Sequence, residues 1–299
     1  MNEFHVPVLL KTSIDQLVGN TDGIYVDLTF GGGGHSKEII ERLSSKGSLI
    51  VFDQDGESKS DILGDKRIIS IKANFRYLYR FWKWLNIDKV DGILADLGVS
   101  SHQFDTDYRG FSYRFESELD MRMNQESEIT AQDVLNSYSA AALQDIFSRY
   151  GEIRNSKTLA QAIVNFRTQR REIRTTTELN GLLSNLAFGD KIKYYSQVYQ
   201  ALRIEVNDEM GALKDVLKDS LKILKSGGRL VVISYHSLED RLVKRFIKSG
   251  SISGDIEKDD FGKPLNQIKV KEKLILPGKE EQKINSRSRS AKMRVGLKI

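Results

Sequence analysis

The sequence predicts an α/β protein, a core of parallel strands and helices interrupted by an all-helical insertion. Three observations carry this reading. Short apolar runs rich in Val, Ile and Leu alternate with helix-length segments, the pattern of β-α-β units whose strands are buried on both faces. After Asp96-Leu97-Gly98 the alternation stops, and apolar residues recur at helical spacing as far as residue 200. The strand-and-helix pattern then resumes, so the core is discontinuous in sequence.

Taken in order, Gly23-Ile24-Tyr25-Val26-Asp27-Leu28-Thr29-Phe30 reads as a strand that stops at the glycines 31–34 and passes into a helix from His35. Ser48-Leu49-Ile50-Val51-Phe52 is a second strand ending on Asp53. Ile68-Ile69-Ser70-Ile71 is a third, leading to Asn74-Phe75, and Gly92-Ile93-Leu94-Ala95 a fourth, ending on Asp96. Helical spacing marks 131–135, 140–150, 156–169 and 177–186. Residues 203–225 read as one long amphipathic helix, 229–235 as a fifth strand, and 238–248 as a helix with Ser237 as its N-cap. Residues 268–276 and 293–299 alternate like strands, and the polar stretch 277–290 between them reads as mobile. The expected division is 1–104 and 201–299 for a Rossmann-like core and 105–200 for a helical insertion.

The chain has 299 residues, a formal charge of +5 and no cysteine. The missing thiols exclude disulfides, thiolate metal sites, iron–sulfur clusters and cysteine nucleophiles. No 18-residue apolar run or leader-like N-terminus is present, which predicts a soluble, cytoplasmic protein with no membrane partner. Positive charge concentrates from Gln267 to Ile299, with ten Lys/Arg against three Glu, a balance that suits either phosphate contacts or a solvated face.

Open parallel sheets bind ligands beyond the carboxyl ends of their strands. Glycines let a ligand approach the backbone, and the free N–H groups of a helix beginning near His35 suit an anion such as the carboxylate of S-adenosylmethionine. Asp53 is spaced to accept hydrogen bonds from ribose hydroxyls, a feature that fits a nicotinamide cofactor equally well. Asp27, four residues before the first glycine, tilts the choice toward adenosylmethionine, whose ammonium group it can face, although a capping carboxylate would look the same. Phe75 is placed to stack on adenine. The loop after the fourth strand, with Asp96, Ser100, His102 and Gln103, should lie where a transferred methyl meets its acceptor; Asp96 and Ser100 are the candidate catalytic residues. Tyr108, Arg109 and Phe111 interleave aromatics with arginine, as a base-stacking surface or a packed lid would. His236 is placed to touch substrate or to serve as a structural histidine, and no metal ligand set is expected. A nicotinamide-dependent oxidoreductase and a non-catalytic RNA-binding factor are the rival readings.

At these residues the sequence resembles the RsmH or MraW family, the bacterial small-subunit ribosomal RNA (cytidine N4)-methyltransferases. The matching blocks run nearly end to end: His5-Val6-Pro7-Val8-Leu9-Leu10, Asp27-Leu28-Thr29-Phe30-Gly31-Gly32-Gly33-Gly34-His35-Ser36, Asp91-Gly92-Ile93-Leu94-Ala95-Asp96-Leu97-Gly98-Val99-Ser100-Ser101 and Arg109-Gly110-Phe111-Ser112. Leu119-Asp120-Met121-Arg122-Met123, Tyr150-Gly151-Glu152, Gln200-Ala201-Leu202-Arg203-Ile204 with Val206-Asn207, Ile233-Ser234-Tyr235-His236-Ser237-Leu238-Glu239-Asp240-Arg241 and Ser288-Arg289-Ser290-Ala291-Lys292-Met293-Arg294 continue the match. The chain departs at Gly32, where the family usually has Arg. The resemblance implies a class I methyltransferase core and adenosylmethionine contacts at Gly33, Gly34, His35, Asp53, Phe75, Asp96 and Gln103. It also implies a cytidine of the ribosomal decoding region as substrate, within the assembled 30S particle, and the helical insertion as the RNA-facing module. The residues themselves make Tyr108, Arg109, Phe111, His236, Arg289 and Arg294 the candidate substrate contacts. Methylation at ring carbon five of cytosine normally needs a cysteine that adds to the ring, so the absence of cysteine points to nitrogen.

Overall fold

The computed structural model describes residues 7–56, 61–100, 103, 106, 108–169, 172–256, 258–262 and 264–299. His5, Val6, Ser101 and His102 of the motifs above lie outside the described residues. The chain divides into two compact units, Met1–Gly98 with Met210–Ile299, and Val99–Glu209.

The first unit is built on a seven-stranded sheet of order β3-β2-β1-β4-β5-β7-β6. Its strands are β1 Ile24–Asp27, β2 Ser48–Asp53, β3 Ile68–Lys72, β4 Val90–Asp96, β5 Leu224–Ser234, β6 Ile268–Ile275 and β7 Lys292–Lys298. The first five run parallel, and β7 lies antiparallel between β5 and β6. Alternate residues of each parallel strand feed opposite faces. Val26, Ile50, Phe52, Ile93 and Val232 pack with Leu213, Val216, Leu217, Val243 and Phe246 on one side. Tyr25, Leu49, Val51, Leu94 and Val231 pack with Ile14, Leu17, Ile39 and Ile40 on the other. Burial on both faces is why these strands read as continuous apolar runs. The strand order reverses between β1 and β4, and the crevice outside their carboxyl ends is where such sheets bind ligands. This is the Rossmann-like α/β core that the sequence predicts.

Helices α1 (Leu10–Leu17), α2 (Gly34–Arg42) and α3 (Leu78–Leu85) belong to the N-terminal part of this unit. The second unit holds α4 (Ala131–Ser137), α5 (Ala140–Arg149), α6 (Ser156–Gln169), α7 (Thr176–Ser184) and α8 (Lys191–Asn207) around its own core of Leu135, Leu143, Phe147, Leu159, Leu179, Val198 and Leu202. Among the described residues of this unit there is no strand, only the isolated bridge between Glu118 and Thr175. Two family motifs explain themselves here. Asn207 accepts from Met123 N at 2.7 Å and donates to Met121 O at 2.8 Å, pinning the Leu119–Met123 loop to α8. Gln200 donates to Tyr150 O at 2.8 Å.

Three readings are corrected. Residues 203–225 are not one helix: Asp208 adopts φ 44°, the left-handed conformation, and so ends α8 before α9 (Glu209–Ile223) starts. The fifth strand starts at Leu224, inside the stretch read as helix. The polar segment 277–290 is ordered, with α11 (Lys279–Ile284), a 3-10 turn at Ser286–Ser290, a buried Ser288, and Glu281 accepting from Leu9 N at 2.6 Å. The units also meet in sequence at Gly98/Val99 and Glu209/Met210, so all of α8 belongs to the helical unit. Among the described residues no helix is long and apolar enough to cross a membrane.

The C-terminal cations divide by environment. Arg294 sends Nε to Asp240 Oδ1 at 2.6 Å and Nη2 to Oδ2 at 3.2 Å, clamping β7 to α10 (Ser237–Ser249), while Arg289 is exposed and has no ion-pair partner among the described residues. Burial opposes ionisation of Asp240, but Arg294 and Lys292 outweigh it and hold the carboxyl below its usual range. Arg294→Ala should therefore cost about 3 kcal/mol in urea unfolding, because it strands a largely buried carboxylate, whereas Arg289→Ala should cost about 0.5 kcal/mol or less.

Candidate active site

The site is built upward from Asp27, the last residue of β1. Its side chain is fully buried, with Oδ1 accepting from Thr29 N at 3.0 Å and Oδ2 from Ser36 Oγ at 2.6 Å. The carboxylate thus fastens the loop that follows β1 to the first turn of α2. Of the two roles the sequence left open for Asp27, facing a ligand ammonium or capping the turn, its hydrogen bonds match the second, because both oxygens are engaged with the loop and helix. Gly31 (φ 51°) and Gly33 (φ 77°) take left-handed backbone that a side chain would strain, and Gly31 N donates to Asp53 Oδ2 at 2.8 Å. Gly32 is different: a Cβ there meets nothing within 4 Å, so the position has room for a side chain such as the Arg usual in the family it resembles. Gly33 is the N-cap of α2, and no side chain caps that helix. The first N–H groups of α2, at Gly34, His35 and Ser36, therefore have no capping side chain, an arrangement suited to an anion.

Asp53 ends β2, with Oδ1 accepting from Asp55 N at 2.8 Å. Beside it opens a hollow of about 110 Å³ lined by Phe30, Asp53, Asp55, Gly56, Ile71 and Lys72. Phe75 opens a 3-10 turn capped by Asn74 and packs, half-buried, against the core of the first unit.

Asp96 ends β4. Its backbone N–H donates to Thr29 Oγ1 at 2.7 Å, which ties the β4 end to the same loop that Asp27 anchors. Tyr235 Oη donates to Asp96 Oδ1 at 2.8 Å. His35 Nε2 lies 3.1 Å from Val8 O, which can only accept, so this nitrogen donates, and Nδ1 lies 3.7 Å from Asp96 Oδ2. Burial, with smaller contributions from the like charges of Asp27 and Glu239, pushes the Asp96 carboxyl up to about 6 against the pull of His35 and the Tyr235 hydroxyl. Burial also raises the Tyr235 phenol, so it stays a hydrogen-bond donor. The Asp96 side chain keeps 21% of its surface open, enough to meet a ligand atom.

Tyr235 was not singled out from the sequence. The signal was available in its position, since it follows the strand that pairs with β4 in register Asp96↔Ile233. His236, by contrast, is the N-cap of α10: its Nδ1 accepts from Glu239 N, and the Glu239 carboxylate accepts from the N–H groups of Tyr235 and His236. Ser237, expected as the cap, is the first residue of the helix.

The remaining candidates lie in the second unit. Ser100 Oγ accepts from Gln103 N at 3.2 Å and Gln103 Oε1 accepts from Ser100 N at 3.1 Å, a reciprocal cap that leaves Gln103 buried. Arg109 is buried, donates to the carbonyls of Arg122 and Met123, and lies over Phe111, itself buried. Gly110 between them has φ 72°, and a Cβ there would sit 2.3 Å from Glu118 O. Arg109 and Phe111 therefore shape the interior of this unit, and of the three only Tyr108, 56% exposed, presents its ring to solvent.

The folded-state pKa of Asp96 is raised, so the folded protein binds a proton that the unfolded chain has released between about pH 4 and pH 6, and stability falls as pH rises through that window. Asp96→Asn keeps the acceptor for Tyr235 and removes this penalty. Thermal unfolding at pH 7 should show the variant more stable by about 2 kcal/mol, with the difference disappearing below pH 4.

With this geometry in hand, comparison with known proteins is specific. The sequence profile of the MraW methylase family matches residues 2–299. The chain is 52% identical over 299 residues to a protein of Flavobacterium johnsoniae named ribosomal RNA small subunit methyltransferase H, covering 99% of this chain and 98% of that one. A protein of the same name from Parabacteroides distasonis is 50% identical over 299 residues, with 99% and 98% covered. A crystal structure of a putative rRNA-methylase from Clostridium thermocellum aligns over 99% of this chain and 100% of that chain at 12% identity and a TM-score of 0.45. Matched over nearly its whole length, the chain belongs to the MraW methylase family.

Proposed function

We propose that the protein is an S-adenosylmethionine-dependent methyltransferase that modifies the exocyclic N4 of a cytidine in the decoding region of small-subunit ribosomal RNA, within the assembled 30S particle. The names of its relatives support the RNA class. The observation that carries the chemistry is Asp96, a desolvated carboxylate at the strand-order reversal, braced by Tyr235 and facing the first turn of α2.

The donor set fits the cofactor. The uncapped N-terminus of α2 suits its carboxylate, Asp53 its ribose hydroxyls, and the hollow beside Asp53 an adenine edge, with Phe75 nearby in sequence to stack. When bound, adenosylmethionine supplies an electrophilic methyl group on sulfur. Everything else falls to the protein. The cytosine amine is a weak nucleophile because its lone pair is delocalised into the ring, so positioning is the main service. Asp96 accepts a hydrogen bond from the amine and orients the lone pair toward the methyl carbon. An amine that has taken the methyl group would be cationic and acidic until it gave up a proton. A carboxylate whose affinity for protons is raised to about 6 is matched to receive the released proton and pass it to water. Tyr235 and His35 hold Asp96 in place, and the missing cysteine removes the covalent route to carbon five.

Cofactor binding tests the first half of the reading. Asp53→Ala should weaken adenosylmethionine binding about tenfold or more in calorimetry, through lost ribose hydrogen bonds; unchanged affinity in a folded variant counts against the assignment.

Product analysis tests the second. Nucleosides from ribosomal RNA of cells with and without the protein should differ by N4-methylcytidine in mass spectrometry. Turnover on small-subunit particles should rise with pH through about 6 as Asp96 ionises, and Asp96→Asn should abolish it. A 5-methylcytidine product, or wild-type turnover by Asp96→Asn, sinks the mechanism.

A further inference from the structure

Helix α3 carries a surface that the site above does not use. It follows β3, and its sequence, Leu78-Tyr79-Arg80-Phe81-Trp82-Lys83-Trp84-Leu85, is crowded with aromatics. Leu78 is buried, while Phe81, Trp82 and Leu85 pack partly against the core. The opposite face is what needs an explanation. Tyr77, Arg80 and Trp84 fall at i, i+3 and i+7, so they share one stripe; Tyr77 is 44% and Trp84 75% exposed. Trp84 and Trp82 are the chain's two tryptophans, so leaving one of them in water calls for a reason.

Charge identifies the occupant. The Arg80 guanidinium lies 5.4 Å from the centre of the Tyr77 ring, and Lys83 and Lys222 both lie 4.6 Å from that of Tyr79. Neither Arg80 nor Lys83 has a carboxylate in ion-pair range among the described residues, whereas Arg76 and Lys222 nearby are paired with Asp215 and Asp219. Two cations without counter-ions, held over rings, beside a flat exposed indole, suit a polyanion with stackable faces. The stripe is about 10 Å long at the helical rise, room for two or three stacked nucleotides. It begins just beyond the carboxyl end of β3, whose Lys72 pairs with Asp53 of β2, so it starts at the sheet edge that holds the candidate active site.

We infer that the Tyr77–Arg80–Trp84 stripe of α3 is a stacking platform for unpaired nucleotides of the RNA substrate. This rests on the RNA reading above and adds to it a binding surface on the sheet-bearing unit, separate from both the helical unit and the basic C-terminus. Bases stack on Trp84 and Tyr77, and Arg80 and Lys83 neutralise the phosphates that pass them.

The two tryptophans make the test direct. Trp82→Phe leaves Trp84 as the only emitter, and Trp84→Phe leaves Trp82, which is stacked on Tyr79 with ring centroids 5.5 Å apart. Each protein is titrated with a single-stranded twelve-nucleotide RNA of mixed sequence and, separately, with purified small-subunit ribosomal proteins. RNA should quench the Trp84 emission and leave that of Trp82 nearly unchanged. Trp84→Ala should raise the RNA dissociation constant about 5- to 100-fold, and Arg80→Gln should make its salt dependence shallower by about one in log–log slope. Adenosylmethionine binding by both variants, measured in parallel, reports that they are folded. RNA binding without quenching of Trp84 and with wild-type affinity in Trp84→Ala overturns the platform and spares the proposed function. Emission that responds to ribosomal proteins and not to RNA reassigns the stripe to protein docking. No RNA binding by the wild-type chain in filter retention overturns the platform, while the proposed function stands or falls on the product analysis with small-subunit particles.

Discussion

The active-site side of the sheet depends on one burial problem and its solution. A carboxylate at 0% exposure is tolerated only when its lone pairs are satisfied, and Asp27 meets that demand with the backbone and hydroxyl of its own loop and helix. Satisfying it fixes Thr29, whose hydroxyl receives the Asp96 N–H, and so sets the end of β4 relative to the end of β1. It also fixes Ser36, and with it the first turn of α2, whose N–H groups no side chain caps. The helix terminus and Asp96, two of the features that a ligand would read, are thus positioned by a residue that is itself hidden from the ligand.

Asp96 shows the opposite economy. It is desolvated but incompletely paired: one oxygen holds a tyrosine hydroxyl, and the other faces an imidazole at 3.7 Å. Strain of this kind, a charge withheld from water and not fully compensated, is characteristic of groups that complete their interactions only with a ligand. The difference between Asp27 and Asp96 is a difference in how many donors the fold supplies, and it separates a satisfied acid from one with capacity left for a ligand on neighbouring strands.

Much of this was legible in the sequence, and the limits have physical causes. Strands buried on both faces announce themselves as apolar runs, so β1, β2, β4 and most of β5 could be placed to within about three residues, and the break after Asp96 marked the insertion. The helix junction at Asp208 was hidden because apolar periodicity continues through it and only one backbone angle changes hand. The segment 277–290 looked mobile because its order comes from long-range bonds, such as Glu281 to Leu9, that leave no local pattern. Around the candidate site, residues whose spacing follows from the β-turn-α unit, among them Asp27, Gly33, Asp53 and Asp96, stand at the strand ends and the turn where the sequence put them. Tyr235 was missed because its partner is 139 positions away. Arg109 and Phe111 suited a base-stacking surface or a packed lid, and Arg294 a phosphate contact or a solvated face; the fold packs the first two inside the helical unit and pairs Arg294 with Asp240. An arginine beside aromatics has the same sequence signature whether it meets a phosphate or a row of carbonyls.

The interrupted core also has a consequence for how the chain is made. Synthesis from the N-terminus delivers β1 to β4 first, and in the finished order these form the half-sheet β3-β2-β1-β4. Its inner border is β4, nearly all apolar and buried in the completed protein, and the strand that covers it is not synthesised until the whole helical unit has been made. For that interval the nascent protein carries an open, hydrophobic strand edge, the kind of surface that seeks foreign strands. A contiguous helical insertion, able to pack its own core without waiting for distant segments, lengthens that interval but adds no further unpaired edge to it.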